Sequence, residues 1–198
     1  MIAGEIEVWR IRLDDAKVPP PTAEEAERAA RFLRPELADR YLRAHGAMRA
    51  ILGRFTSAAL EFAATSWGKP YLPGAPGVKF NLSHSHEMAL VAVALEVEVG
   101  VDVERVRDLP DKPALVERFF PPGEAAAHEA APPSCRDRDF FRRWTRIEAV
   151  LKARGVGLYG LGADPEGEWS VEEIEAGDEY TAAVAAPRAG MKVRIVDY

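Results

Sequence analysis

From Glu5 to Leu13 apolar residues, Ile6, Val8, Ile11 and Leu13 among them, alternate with charged ones. This is the period-two pattern of a strand with one buried face. Pro19, Pro20 and Pro21 end it. Thr22, with Glu25 three residues on, forms a capping-box pair and predicts a helix running to about Leu33. Pro35 suits the first turn of a second helix. Leu37, Tyr41, Met48, Leu52, Phe55, Ala59 and Phe62 carry a mostly helical apolar spacing from there to about Ala64, with Arg34, Arg40, Arg43, Arg49 and Arg54 on the other face. Short strands separated by Gly and Pro are expected over 67–72, 78–82, 88–95 and 97–104. A proline-interrupted helical region follows, in which Ala125 to Pro133 reads as a mobile loop. The longest helix of this half is predicted over 137–154, stopped by Gly155 at a C′ position. Three last strands are expected at 168–175, 179–185 and 192–196.

The order strand, helices, strands, helices, strands predicts an α+β fold made of two similar halves that meet near residue 100. The expected division is 1–98 and 99–198. No sequence repeat relates the halves, and no low-complexity segment or long linker interrupts them.

Composition narrows the function classes. The 198 residues are enough to bury a real core. A net charge of −6 argues against general nucleic-acid binding, which usually shows as a basic domain. The single cysteine, Cys135, excludes an internal disulfide and fits a reducing compartment. Met1 to Arg12 lacks the basic and apolar segments of a signal peptide. No apolar run approaches the roughly 18 residues of a membrane span. The expectation is a soluble, cytoplasmic chain with no membrane partner.

Three segments carry candidate chemistry. In Val99-Gly100-Val101-Asp102-Val103-Glu104, strand alternation sends the valines to the core and puts Gly100, Asp102 and Glu104 on the other face. Two carboxylates with Cα atoms about 7 Å apart on one face can converge on a hard divalent cation such as Mg²⁺. The same alternation describes a solvated strand face, so these six residues leave both readings open. In Phe80-Asn81-Leu82-Ser83-His84-Ser85, hydroxyls and an imidazole gather at a strand end, where they can hydrogen-bond phosphate oxygens or simply hold a turn. His86 reads as an exposed bystander. No His or Cys spacing fits zinc, and no glycine pattern around a serine fits a hydrolase elbow. In Trp144 to Gly155, Phe140, Trp144, Ile147 and Leu151 form an apolar stripe, while Glu148 and Lys152, four apart, share a neighbouring face. By themselves they read as a surface ion pair. Arg136, Arg138, Arg142, Arg143 and Arg146 form a local basic run that suits an acidic partner, phosphates or solvent equally.

Taken in order, the three segments resemble the 4′-phosphopantetheinyl transferases of the larger, surfactin-synthetase-activating type. The family reads F-N-x-S-H-S, then G-[VI]-D-[VI]-E, then W-x-x-K-E-A-x-x-K-x-x-G. Phe80 to Ser85 and Gly100 to Glu104 match throughout, and Trp144, Glu148, Ala149, Lys152 and Gly155 match in the third. Trp67-Gly68-Lys69-Pro70 is similar to the family's G-K-P segment, and Arg49 to Gly53 to its R-x-x-L stretch. The resemblance covers roughly residues 30 to 165. It implies two pseudo-symmetric α+β halves with the active site between them. It also implies coenzyme A as donor, a serine of an apo acyl, polyketide or peptidyl carrier protein as acceptor, and adenosine 3′,5′-bisphosphate as leaving group. Carried over, Asp102, Glu104 and Glu148 hold Mg²⁺, and His84 and Ser83 contact phosphate oxygens. Arg49 and Lys69 sit near the 3′-phosphate, and Lys152 faces the reacting phosphates. Glu148 is the preferred base for the attacking serine, Glu104 the second. The size, with paired halves, implies a monomer rather than the trimer of the shorter holo-acyl-carrier-protein synthases.

One position departs: Ile147 stands where the family has the lysine before its glutamate. Arg146 is the nearest replacement cation. The departure supports a rival expectation, a family member that binds coenzyme A or a carrier with weak or no transfer. A phosphohydrolase using water as acceptor is a third reading, without a phosphate-loop or two-metal motif to support it.

Overall fold

The computed structural model describes residues 4–157, 169–187 and 192–198. Strand β1 (Glu5–Arg12) leads to helices α1 (Ala23–Ala29) and α2 (Pro35–Leu52). Then come the two-residue strands β2 (Ala63–Ala64) and β3 (Pro70–Tyr71), followed by β4 (Val78–Ser85), β5 (Met88–Leu95) and β6 (Gly100–Arg105). The chain continues through α3 (Lys112–Phe119), α4 (Pro122–Glu129), a 3-10 turn at Pro133–Cys135, α5 (Arg136–Arg154), β7 (Trp169–Glu173), β8 (Tyr180–Pro187) and β9 (Lys192–Asp197). The architecture is α+β, as expected. No helix among the described residues is long and apolar enough to cross a membrane.

Alternation in β1 sets the layers. Trp9 and Ile11, with Leu13 beyond the strand, face a core shared with Ala44, Ala47, Met48, Ile51 and Leu52 of α2. Ile6 and Val8 face the opposite core, shared with Leu90, Ala92 and Ala94 of β5, Val101 and Val103 of β6, and Ala182, Val184 and Ala186 of β8. The four layers are therefore α2, a sheet ordered β4-β5-β1-β9, a sheet ordered β6-β8-β7, and α5. Strand β9 lies parallel to β1, so the last residues complete the first sheet. Glu87, in the β4–β5 turn, accepts from Arg40 of α2 at 2.5 Å and from the Tyr180 hydroxyl of β8 at 2.9 Å, tying three layers together.

Several boundaries differ from the sequence reading. The Thr22–Glu25 capping box forms with both bonds, but α1 stops at Ala29 rather than near Leu33. Arg34 is extended, as a residue before proline prefers, and Leu33 is fully exposed. Helix α2 ends at Leu52, twelve residues short of Ala64. Gly53 is a poor helix former. The next N–H groups, of Arg54 and Phe55, close tighter three-residue turns on Ile51 and Leu52. Phe55 still reaches the α2 core, which is why its spacing looked helical. The expected loop at Ala125 to Pro133 is largely ordered by α4 and the 3-10 turn. Pro122 opens α4 in the first helical turn, where its missing N–H costs nothing. His128 holds it to α5 through Asp139 at 2.8 Å and packs edge-on against Phe120 and Phe140. Glu168 of the expected strand at 168–175, and residues 158–165 of the family resemblance, lie outside the described residues.

Helix α5 packs closely on the second sheet. Ala149 and Ala153, one helical turn apart, face Ala183 and Ala185 of β8. Gly100 lies under the same turn. A Cβ there would stand 2.1 Å from the Ala149 carbonyl oxygen and 2.2 Å from the Ala153 nitrogen, both backbone atoms that cannot move aside singly. Gly100→Ala is expected to lose about 3 kcal/mol or more of stability through overpacking, read by chemical unfolding. A variant as stable as the parent would mean that α5 is not seated this closely.

Candidate active site

Seating α5 on β6 brings together side chains far apart in sequence. Glu148 and Lys152 are next to Ala149 and Ala153 on the helix, so close packing of the alanines holds the two charged groups against the face of β6 that carries Asp102 and Glu104. Lys152 Nζ donates to Asp102 Oδ1 at 2.5 Å and to Ser83 Oγ at 3.0 Å. Asp102 is 4% exposed. Its second oxygen, Oδ2, is buried and has no hydrogen-bond partner among the described residues. Glu104 accepts from Ser85 Oγ and from Arg107 Nη1, each at 2.9 Å. Burial raises the pKa of Glu148; Lys152 opposes the shift, and the charges of Asp102 and Glu104 add to it. The three expected carboxylates are thus electrostatic neighbours. Among the described residues no three acidic, His or Cys side chains form a ready-made metal cage.

A polar seam joins the two sheets at this point. Strand β6 is an edge strand, and its outward N–H groups have no strand partner. Three side chains from alternate positions of β4 fill that role. Asn81 Oδ1 accepts from Val101 N–H at 2.8 Å, Ser83 Oγ from Val103 N–H at 3.3 Å, and Ser85 Oγ from Arg105 N–H at 3.2 Å. Ser83 also donates to Asp102 Oδ1 at 2.8 Å. The structure therefore buries Ser83 with its hydroxyl bonded three ways. Asn81 and Ser85 were not singled out individually in the sequence, although their period-two polarity inside an apolar strand was a visible signal.

A groove of about 930 Å³ is walled in part by Ser83 and Lys152, the two groups that bond Asp102, and not by the three carboxylates themselves. Tyr41, His45, Arg49, Ser83, His84 and Lys152 are among its walls. His84 exposes its outer edge to the groove. Packing around the ring, and next the Lys152 charge, lower its pKa, so the imidazole is neutral at neutral pH. Arg49 is held by Glu25 through bonds of 2.9 and 3.0 Å and by the Pro20 carbonyl at 2.8 Å. His45 and Glu25 were not anticipated as groove residues; nothing local in the sequence marks them.

The structure does not bring Lys69 to this groove. It lines a separate cavity of about 310 Å³ with Trp67, Lys79 and Arg154. Its Nζ donates to Glu98 at 2.6 Å, to the Ala153 carbonyl at 2.7 Å and to the Val99 carbonyl at 3.2 Å. This cation caps the C-terminal end of α5, where carbonyls lack helical partners. Three oxygen acceptors already surround this largely buried ammonium. Ile147 packs with Trp144 against the cluster of Val116, Phe120, Phe140 and Phe141. Arg146, the proposed replacement cation, faces Glu173 of β7 at 3.6 Å. His86 is half-buried and occupies the β4–β5 turn with a φ of 55°.

A model of the family described as the 4′-phosphopantetheinyl transferase superfamily matches residues 98–185, the span holding all three carboxylates and Lys152. The chain is 32% identical to 4′-phosphopantetheinyl transferase HetI of Nostoc sp., over 100% of this chain and 94% of that protein. It is 28% identical to a 4′-phosphopantetheinyl transferase of Bacillus subtilis, covering 87% and 85% of the two chains. Similarity to the Sfp transferase of Bacillus subtilis is 24% over 88% and 87%.

The groove wall has its own pH signature. His45 is pulled down from 6.5 to about 4, chiefly by burial, with Glu25 opposing and His84, Arg28 and Arg49 reinforcing. The unfolded chain takes up this proton near 6.5 while the folded protein resists until about 4. Stability is therefore expected to fall as pH drops through that window. His45→Gln should flatten that part of the profile, measured as unfolding free energy at a series of pH values. Parallel profiles for the two proteins would contradict this.

Proposed function

Since this chain belongs to the 4′-phosphopantetheinyl transferase superfamily and is an enzyme that transfers phosphopantetheine, we propose that it takes the arm from coenzyme A and places it on a serine of an apo carrier protein. The observation that carries the reading is the junction of Asp102, Glu104 and Glu148 with Lys152 and His84, the last two of which also line the groove of about 930 Å³. On this reading the serine oxygen attacks the phosphorus that carries the pantetheine arm. The pyrophosphate bond breaks, and adenosine 3′,5′-bisphosphate leaves. Such a reaction needs chiefly positioning and charge neutralisation.

The residues fit a divalent cation. Hard carboxylate oxygens are the right donors, and Asp102 Oδ2 is a buried acceptor in want of a partner. Mg²⁺ is commonly held by one or two carboxylates together with substrate phosphates rather than by an all-protein cage. Asp102, Glu104 and Glu148 would hold it, and bound there it supplies Lewis-acid stabilisation of phosphate charge. Lys152 contributes a cation to the reacting phosphates. His84, uncharged, donates a hydrogen bond to a phosphate oxygen. Arg49 offers its guanidinium to the nucleotide end of the donor, with Glu25 fixing its orientation. Glu148 accepts the serine proton; it is the carboxylate whose proton affinity burial and neighbouring negative charge raise in the protein alone. The working description is a cytoplasmic monomer of halves 1–98 and 99–198.

Incubation with coenzyme A, Mg²⁺ and a panel of apo acyl, polyketide and peptidyl carriers, followed by mass measurement, should add one phosphopantetheine arm to at least one carrier. Binding of coenzyme A without any mass gain across the panel would instead favour a binding protein. Coenzyme A breakdown without a carrier would favour hydrolysis. Glu148→Gln is expected to lower transfer by about a hundredfold or more at saturating Mg²⁺. Transfer at the parent rate would remove Glu148 as the base.

A further inference from the structure

The seam between β4 and β6 contains two kinds of link. Asn81 satisfies the Val101 N–H with its amide oxygen and makes no hydrogen bond to a carboxylate among the described residues. The two serines do more. Ser83 accepts from the N–H twenty residues on, at Val103, and donates to the carboxylate nineteen residues on, at Asp102. Ser85 repeats the device one step along: it accepts from Arg105 N–H and donates to Glu104. One oxygen atom thus fixes the backbone of β6 and the adjacent acidic side chain together. A hydroxyl can do both because it has one proton to give and two lone pairs to receive. A seam built only for cohesion needs an acceptor at each N–H, as Asn81 provides, and no donor to a carboxylate.

We propose that Ser83 and Ser85 are positioning residues that set Asp102 and Glu104 for divalent-cation binding, acting from the opposite sheet. The inference rests on the reading of those carboxylates as cation ligands. It enlarges that site in a definite way: part of the control over the acidic pair comes from β4, in the other sheet, while the pair itself stands on β6. Each serine bond leaves the other carboxylate oxygen for a further partner. At Asp102 that oxygen is the buried, unpartnered Oδ2. Glu104 is held from a second side by Arg107, so the loss of Ser85 would let its side chain swing toward that arginine.

Ser85 gives the cleaner test, because Ser83 also receives Lys152. The probe is Mn²⁺, followed by the paramagnetic resonance signal of the free ion, with coenzyme A held saturating and a protein-free blank subtracted. Ser85→Ala is expected to weaken Mn²⁺ binding about tenfold or more, the usual consequence of removing a group that orients a metal ligand. Ser85→Thr, which keeps the hydroxyl, should recover most of the affinity. Ser85→Cys, nearly isosteric but a weak donor, should behave like the alanine variant and serves if that variant does not fold. Asn81→Ala removes a seam bond without touching a carboxylate. It should lower the melting temperature and leave Mn²⁺ affinity at the parent value.

Glu104→Gln separates the two levels of the argument. If it weakens Mn²⁺ binding while Ser85→Ala and Ser85→Cys do not, the positioning role falls and the cation site stands. If Asn81→Ala weakens binding as much as Ser85→Ala, the seam acts only through stability and the positioning role also falls. If the parent protein does not bind Mn²⁺, or Glu104→Gln binds it as well as the parent, the cation reading itself fails.

Discussion

At Gly100 nothing larger than a hydrogen separates β6 from the backbone of α5. That close approach governs the rest of the structure. With small residues on both sides, Ala149 and Ala153 above and Ala183 and Ala185 below, the helix axis sits low on the sheet. The adjoining helix positions, Glu148 and Lys152, are then short of water on one side and held against acidic residues on the other. A bulkier contact layer would lift the helix and separate those groups. The apolar stripe of Phe140, Phe141, Trp144 and Ile147 continues the grip against α3 and α4, and Lys69 secures the helix end through the Ala153 carbonyl. Packing and site chemistry are here one constraint.

Among the described residues the second sheet meets the first without sharing main-chain hydrogen bonds with it. An edge strand buried in that way would leave N–H groups unpaired at a cost of about 1–3 kcal/mol each. Side chains from β4 meet the need at 101, 103 and 105. This lets two sheets stack face to face through the core of Ile6, Val8, Val101, Val103 and Val184 while charged side chains gather at their shared edge. The polar seam also explains why a strand otherwise apolar enough to be buried carries Asn81, Ser83 and Ser85. Their opposite face, with Phe80 and Leu82, belongs to the α2 core.

What the sequence disclosed depended on whether the cause was local. Strand β5 occupies the expected 88–95, because a continuous apolar run bounded by turns has few other uses. Helix α5 begins one residue before the expected 137 and stops at Gly155, whose φ of 69° is the left-handed cap that glycine supplies. The overlong reading of α2 failed where apolar spacing outlasted the helix: Phe55 and Phe62 are drawn to the core and to the Phe80 ring after the chain has left helical geometry. The carboxylates at 102 and 104 were legible as a pair on one strand face. Their junction with Glu148 was not legible from spacing, and came only with the ordered resemblance. Lys69 could not be placed from its motif, since its partners, Glu98, Val99 and Ala153, lie 29 to 84 residues away. The double duty of Ser83 and Ser85 was hidden for the same reason: it exists only across the seam.

Charge at the site does not balance by itself. Asp102, Glu104 and Glu148 bring three carboxylates into mutual range, and two cations, Lys152 and Arg107, are bonded to the first two. Ile147 adds none, being part of the apolar cluster, and Arg146 spends its charge at Glu173. The imidazole of His84 is held neutral by its packing and by Lys152. An excess of negative charge therefore remains in a partly dehydrated place, where charges are costly to leave unpaired. The protein alone relieves it by raising the proton affinity of Glu148. A bound divalent cation would relieve it differently, by favouring the ionised form of Glu148. The same imbalance thus favours either of two outcomes at this place, binding of a cation or proton uptake by Glu148. A lysine at position 147 reaching the site would have reduced both, which gives the apolar substitution there a physical consequence beyond packing.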